Sequence, residues 1–507
     1  MRNAESVVRL LDKLDIIGRT SEGSRLCCTD FSQMLPGIRG SQYKVEGVLQ
    51  RALLTIGANH TLSPSSQSCQ SAPLLPSTLP NVGYLFASPS KADIRNMEAL
   101  ESIPLVLEPE SGFYHDPVVV CDFTALYPSI VIAYNLCYST CVGKIEYRST
   151  LRGGEPRTTG RVGIMEVPHE NVRQVLQEHI FGSKPEGAII TPAGSIFVQP
   201  SVRKGVLPRI LSELLSTRAM IKRCQKAYKK SKSVPGGVIR TLEAKQLALK
   251  FISNVTYGYT SATFSGRCCC PLVADAIVEI ARKTLSGAKT KAEEMGVEGR
   301  WKGARVVYGD TDSVFVCLPG RTVGEAFEFG EEFCKAVTAS NPPPVHLKLE
   351  KVYSSCMLQT KKKYCGMKFE SKGQRQGVWE AKGIETVRKD QCRLTQKLLR
   401  GALMNLFKYH NVERLKRYLE RQWTKLLAGK LPVSDFVLSG RVRSQYREGG
   451  ETVTAALVQR LSEKDPLIRN LRNKARIEYV IVAMPGTDYR IKHGVRTPLE
   501  LIEGGDR

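Results

Sequence analysis

Three acidic side chains at the ends of apolar strands restrict the fold of this chain more than any other feature. Pro117-Val118-Val119-Val120-Cys121-Asp122-Phe123 is an apolar run of strand length with an aspartate near its end. Ala304-Arg305-Val306-Val307-Tyr308 and Ser313-Val314-Phe315-Val316-Cys317 flank Gly309-Asp310-Thr311-Asp312, which predicts a β-hairpin with two acids at its tip. A carboxylate in such a place needs a cation or hydrogen bonds to replace its lost hydration. Two acidic strand ends meeting at one spot would form an oxygen cage for a hard cation such as Mg²⁺, which keeps waters and takes further ligands from phosphates. On its own, Gly-Asp-Thr-Asp is more often a hydrogen-bonded turn.

The segments between these sites weigh against a simple turn. Val206 to Lys230 carries Ile210, Leu214 and Leu215 on one side and Arg218, Lys222 and Arg223 on another, predicting a helix. Val234-Pro235-Gly236-Gly237 reads as a break, and a second helix is predicted from Thr241 to about Tyr257, completing an αα-hairpin. Lys250, Asn254, Tyr257 and Gly258 fall at i, i+4, i+7 and i+8 and share one face. Antiparallel packing would gather Arg218, Lys222 and Lys250 around one anionic group. Any one of these helices could instead present a solvated charged face. Beside an acid-bound metal, however, three cations describe a triphosphate clamp, in which positioning and charge neutralisation do most of the catalysis.

The basic surplus extends along the chain: 74 Lys and Arg oppose 49 Asp and Glu over 507 residues, a formal charge of +25. A chain so basic meets a polyanion, because neutralising phosphates releases condensed counterions. An anionic membrane is the competing partner, but the sequence has no run of 18 apolar residues and no basic amphipathic anchor. The polar opening Met1-Arg2-Asn3-Ala4-Glu5 predicts no secretory signal. Cys137 with Cys141, and Cys268-Cys269-Cys270, lack a second ligand pair, so thiols in a reducing, intracellular compartment are expected rather than zinc. The stretch from Leu62 to Lys91, rich in Ser, Pro and Gln, reads as a flexible insertion. Residues 144–200 read as irregular with a few strands. After residue 396 the chain is helical and basic, then strand-like at Tyr479-Val480-Ile481-Val482.

Asp122-Phe123-Thr124-Ala125-Leu126-Tyr127-Pro128-Ser129-Ile130 resembles motif A of B-family DNA polymerases. Lys250-Phe251-Ile252-Ser253-Asn254-Val255-Thr256-Tyr257-Gly258 is similar to motif B, and Tyr308-Gly309-Asp310-Thr311-Asp312-Ser313 to motif C. Lys361-Lys362-Lys363-Tyr364 is similar to the K-K-x-Y element that grips primer-template. All four occur in family order. Tyr259 through Arg267, Leu358-Gln359-Thr360 and Ala381 through Arg388 resemble the zeta branch of that family. The resemblance covers roughly residues 1–60 and 100–485.

The resemblance implies an α+β right hand with an antiparallel-sheet palm, helical fingers and a partial helical thumb. Residues 1–60 would lead into the palm, 61–99 form the low-complexity insertion, and 100–205 the first palm segment. Residues 206–262 would be the fingers, 263–395 the second palm segment with motif C and the K-K-x-Y element, and 396–507 an incomplete thumb. It further implies that Asp122 and Asp312 bridge two Mg²⁺, or Mn²⁺ in their place, with the Phe123 carbonyl as a backbone ligand and Asp310 as an auxiliary acid. Arg218, Lys222 and Lys250 would hold the incoming triphosphate, with Asn254 in support. Tyr127 would lie under the deoxyribose and exclude a 2′-hydroxyl, and Tyr257 would check the minor-groove edge of the nascent pair. Lys361, Lys362, Tyr364 and Gly258 would contact DNA, and Glu350 is a further candidate near the metals.

The implied reaction is template-directed addition of deoxynucleotides to a primer 3′ end, in translesion synthesis and repair for the zeta branch. Primer-template DNA, dNTPs, accessory polymerase subunits and a sliding clamp are the implied partners, without a membrane, and the nucleus is the implied compartment. A replicative, delta-like polymerase is one rival reading. A polymerase-shaped structural subunit that binds DNA without chemistry is another, against which the intact Asp122, Asp312 and Lys250 weigh. Ala125 stands where the family commonly has serine, with little loss expected because phosphate contact there is through backbone N–H. No acidic exonuclease motif precedes Asp122. The chain stops at Arg507 without the family's two cysteine clusters, so an iron–sulfur cluster is expected only in a missing C-terminal region, and a fragment or shortened gene product is expected.

Overall fold

The computed structural model describes residues 2–35, 40–61, 89–97, 99–146, 157–159, 161–162, 165–166, 187–230, 235–262, 266–267, 269–442, 452–464, 475–483, 491 and 494–504. The chain opens with helices α1 (Arg2–Lys13), α2 (Ile16–Cys27), α3 (Phe31–Met34), α4 (Ser41–Thr61) and α5 (Lys91–Arg95). Strands β1 (Gly112–Tyr114) and β2 (Val118–Phe123) lead into α6 (Leu126–Ala133) and then β3 (Cys141–Glu146), β4 (Arg157–Thr159), β5 (Arg161–Val162), β6 (Met165–Glu166), β7 (Ala188–Ile190) and β8 (Ser195–Val198). Three long helices follow, α7 (Val206–Lys230), α8 (Gly236–Thr260) and α9 (Pro271–Val297), then the hairpin β9 (Arg305–Asp310) and β10 (Ser313–Cys317). Beyond α10 (Val323–Ala339) come β11 (Leu347–Thr360), β12 (Lys363–Phe369), β13 (Val378–Lys382), α11 (Arg393–Tyr409) and α12 (Val412–Leu427). The last elements are β14 (Leu438–Arg441), α13 (Val453–Lys464), β15 (Arg476–Ile481), β16 (Val495–Arg496) and α14 (Pro498–Gly504).

The chain divides into two compact units: residues 1–107, 121–315 and 329–350 in one, and 108–120, 316–328 and 351–507 in the other. In the first, the end of β2 lies beside the start of β11 and beside the β9–β10 hairpin. Helix α9 starts with Pro271, whose missing N–H costs nothing at a helix N-terminus. It buries Leu272, Val273, Ala274, Ala276, Ile277 and Val278 nearly all round. Buried Asp275 of α9 accepts backbone N–H bonds from Glu101 (3.2 Å) and Ser102 (2.9 Å), which pins the stretch that runs on to the hairpin. Helix α8 packs on α7, α2 and α4, so the N-terminal helices α2 and α4 join the α7–α8 pair. A separate antiparallel sheet, in the order β4-β3-β8-β7, closes over Ile145 and Ile196.

In the second unit β11 pairs antiparallel with β1 and β12, and β12 with β13. Cys365, Ile384, Leu403 and Phe407 form the core between this sheet and α11. A smaller sheet has the order β14-β15-β16.

The predicted helix Val206–Lys230 is present as read. The second helix starts at Gly236 rather than Thr241, because Pro235 has the extended backbone of an N-cap (φ −58°, ψ 136°). Gly236 and Gly237 then occupy the first turn, where amides lack helical partners anyway, and do not break the helix. Most of the predicted insertion, residues 62–88, and much of 144–200 lie outside the described residues.

Candidate active site

Strand β2 carries four fully buried residues, Val118 to Cys121, before the half-buried Asp122 and buried Phe123. The chain then turns through Ala125 in the left-handed region (φ 49°, ψ 55°) and enters α6. Ser129 donates from its N–H to the Ala125 carbonyl (2.9 Å) and from its hydroxyl to the Thr124 carbonyl (3.1 Å), which fixes this turn. Opposite it, Thr311 at φ 58° makes the tight tip between β9 and β10.

The two acidic strand ends meet. The Phe123 N–H donates to the Asp312 carbonyl at 2.7 Å, so the residue after Asp122 is bonded directly to Asp312. Asp310 is tied locally: its carboxylate accepts the Thr311 hydroxyl (3.3 Å) and its carbonyl accepts the Ser313 hydroxyl (3.3 Å). The stretch before β1 braces the hairpin, with Leu107 N–H on the Gly309 carbonyl (2.9 Å) and Thr311 N–H on the Leu105 carbonyl (3.0 Å). Gly309 lies within the strand rather than the turn, and a Cβ there would meet Leu107 Cδ1 at 2.8 Å. A side chain at this position would have to push the Leu107 side chain aside.

Two tyrosines stand over this edge. The rings of Tyr127 and Tyr257 have centroids 4.5 Å apart at 40°. Burial raises the pKa of Tyr127, with the neighbouring Tyr257 and the Asp312 carboxylate adding to it. Burial likewise raises that of Tyr257, helped by Asp275.

The helix pair supplies cations. On α8, Lys250, Asn254 and Gly258 lie on the open face, while Leu249, Ile252, Ser253 and Thr256 are buried. Arg218 of α7 is half-buried and donates from Nε to Gln246 Oε1 at 3.0 Å. Burial lowers the pKa of Lys222, and repulsion from Arg218, Lys250 and Lys348 lowers it further. The three predicted cations are therefore neighbours. Lys348, which sequence reasoning missed, joins them from β11. It shares a strand face with exposed Glu350, two residues on. The His346 carbonyl just before β11 accepts the Thr124 N–H (3.0 Å), which holds this strand start against the turn after Asp122.

The K-K-x-Y residues belong to the second unit. Exposed Lys361 and Lys362 form the tip between β11 and β12, with Lys362 at φ 62°, and Tyr364 follows in β12. Lys361 Nζ pairs with Glu108 at 2.5 Å, and Lys363 Nζ with Glu385 at 3.1 Å.

Among the described residues no group of three His, Cys, Asp or Glu side chains is placed to hold a metal ion. The donors that the resemblance implies are two carboxylates and a carbonyl, and the backbone bond between Phe123 and Asp312 brings these residues together. An oxygen-only set completed by substrate phosphates suits Mg²⁺. Among the described residues no helix is long and apolar enough to cross a membrane.

A family model described as DNA polymerase family B matches residues 39–498. The chain is 40% identical over 507 residues to the DNA polymerase zeta catalytic subunit of Arabidopsis thaliana, covering 99% of this chain and 24% of that protein. It is 40% identical over 499 residues to the Homo sapiens DNA polymerase zeta catalytic subunit, covering 98% of this chain and 14% of that one. The DNA polymerase delta catalytic subunit of Candida albicans is similar at 29% identity over 492 residues, 96% of this chain and 40% of that protein. The chain spans about a quarter or less of the length of these two zeta relatives.

Proposed function

The chain belongs to DNA polymerase family B, and from that premise we propose that it adds deoxynucleotides to a primer 3′ end under the direction of a template. The bond from Phe123 N–H to the Asp312 carbonyl carries the reading, because it joins motif A to motif C. The Asp122 and Asp312 carboxylates and the Phe123 carbonyl would hold the divalent metal ions. Bound there, Mg²⁺ or Mn²⁺ supplies the positive charge that favours the primer alkoxide and the departing pyrophosphate. Asp310, tethered by the Thr311 hydroxyl, serves as an auxiliary acid. Arg218, Lys222 and Lys250 neutralise the triphosphate, with Asn254 beside them on the open face of α8. Tyr127 lies under the sugar and Tyr257 against the nascent pair. Lys361, Lys362 and Tyr364 grip the duplex, and Gly258 leaves open space for it.

In this reading the strands that carry Asp122 and Asp312 are the palm, α7 and α8 the fingers, and the region from α11 onward the thumb. The higher identity to zeta than to delta catalytic subunits favours translesion synthesis over replication. Accessory subunits, a sliding clamp and a nuclear location go with that assignment. A DNA-binding scaffold without chemistry has no need of metal-binding acids beside a cation cluster.

Primer extension by the purified chain with Mg²⁺ tests the proposal. Asp122→Ala and Asp312→Ala should each abolish extension while primer-template binding stays within about threefold, since basic side chains supply most of that affinity. Asp310→Ala should lose less. Extension at the wild-type rate by either major variant would overturn the assignment.

A further inference from the structure

The second unit buries a lysine that the proposed reaction does not use. Lys351 is only 4% exposed, and its Nζ lies 2.6 Å from Glu380 Oε2. The Tyr353 hydroxyl donates to the same oxygen, and Lys368 Nζ stands 3.6 Å from the other one. Removing such an ion pair from water is costly, so it persists only where its hydrogen bonds are satisfied. Burial alone would raise the pKa of Glu380, but bonds from Lys351 and Tyr353 outweigh it, and the carboxyl is held below its ordinary value. Tyr353 is pushed far up, by burial and then by Glu380, so it remains a neutral donor.

The geometry connects this network to Tyr364. Tyr353 reaches Glu380 by crossing β12 at Gly366, the cross-strand partner of Glu380. A Cβ at Gly366 would meet Tyr353 Cδ1 at 2.7 Å and the Ser355 carbonyl at 2.7 Å, so glycine opens the crossing. There the Tyr353 ring meets the ring of Tyr364, with centroids 6.5 Å apart and planes at 73°. Tyr364, Gly366 and Lys368 alternate along β12 and share one sheet face. The chain of contacts runs from buried charge to tyrosine to tyrosine.

We infer that Tyr353 and Glu380 are positioning residues that fix the orientation in which Tyr364 meets primer-template. The inference rests on the proposed reading of Tyr364 as a duplex contact. Lys351 supplies the charge that keeps Glu380 ionised, and Gly366 the gap through which Tyr353 passes.

Equilibrium binding of a fluorescent primer-template to the full chain tests it with Tyr353→Phe, Tyr364→Ala and the double variant. Tyr353→Phe deletes one hydroxyl and leaves both the ring and the Lys351–Glu380 pair. It should weaken binding about three- to tenfold, and Tyr364→Ala at least as much. The double variant should bind no worse than Tyr364→Ala, because residues acting through one another are not additive. The KM for dNTP at saturating DNA should stay at the wild-type value, and so should the dependence of affinity on salt, since no phosphate contact is lost. If Tyr353→Phe melts early, Lys351→Met/Glu380→Met replaces the pair by apolar volume, frees the same hydroxyl and should show the same loss. Wild-type affinity in Tyr353→Phe, or additive losses in the double variant, would overturn the inference. Wild-type affinity in Tyr364→Ala would remove the duplex reading of Tyr364 as well.

Discussion

Tyr127 owes its place to the left-handed turn at Ala125, which swings the chain from β2 into α6. Packing against Tyr257 then fixes the ring from a second element. Burial, Tyr257 and the Asp312 carboxylate raise its pKa, and in the proposed role the ring volume, not the hydroxyl, rejects a 2′-hydroxyl. Tyr127→Ala should raise ribonucleotide incorporation about ten- to a hundredfold, matching the 1–3 kcal/mol that overpacking typically costs. Tyr127→Phe, which keeps the ring, should change little. Parallel extension with dNTPs and rNTPs checks this; equal loss of both would make Tyr127 a core residue only. The acids were legible in sequence because a charge ending an apolar strand is costly wherever it lies. Lys348 was not. Between Leu347 and Leu349 it looks like an ordinary outward strand position, and only strand order brings it to Lys222.

At the scale of elements, α7 and α8 form a bracket whose open faces are cationic. Their helical period was readable, but the start of α8 was not, since Pro235 reads as a breaker when its backbone here is that of a cap. Helix α9 escaped notice for a different reason: its first turns are buried almost all round, so no polar face marks the period. The nearness of Lys348 to Lys222 has an electrostatic consequence. Burial, then Arg218, Lys250 and Lys348, hold the pKa of Lys222 below that of an ordinary lysine. In the proposed clamp the triphosphate takes the charged form of Lys222, so the KM for dNTP should rise as pH climbs through this lowered pKa. Lys348→Gln removes one lowering influence and should move that rise to higher pH. Steady-state kinetics from about pH 7 to 10, towards the ordinary lysine value, measures the displacement. An unmoved alkaline limb would mean that Lys348 does not act on Lys222.

Across the whole molecule, a formal charge of +25 announces a polyanionic partner without saying where it lies. The structure assigns Asp122 and Asp312 to one compact unit and Lys361 and Lys362 to the other, a division that no sequence period displays because each unit draws on separated stretches of chain. Chemistry and grip should therefore respond to different substitutions. Lys361 pairs with Glu108 at 2.5 Å, and an exposed pair of this kind contributes no more than about 1 kcal/mol. A phosphate can thus displace Glu108 at little cost. Each lysine placed on a phosphate contributes about 0.9 to the slope of log Kd against log salt. Lys361→Ala/Lys362→Ala should weaken primer-template binding most at low salt and flatten the slope by about two, with kcat at saturating DNA unchanged. Asp122→Ala should leave the slope at its wild-type value although extension is lost. Anisotropy titrations between about 50 and 200 mM KCl measure both slopes. A double-lysine variant with the wild-type slope would mean that neither side chain meets a phosphate, and the basic surplus that grips the duplex would then have to lie elsewhere on the chain.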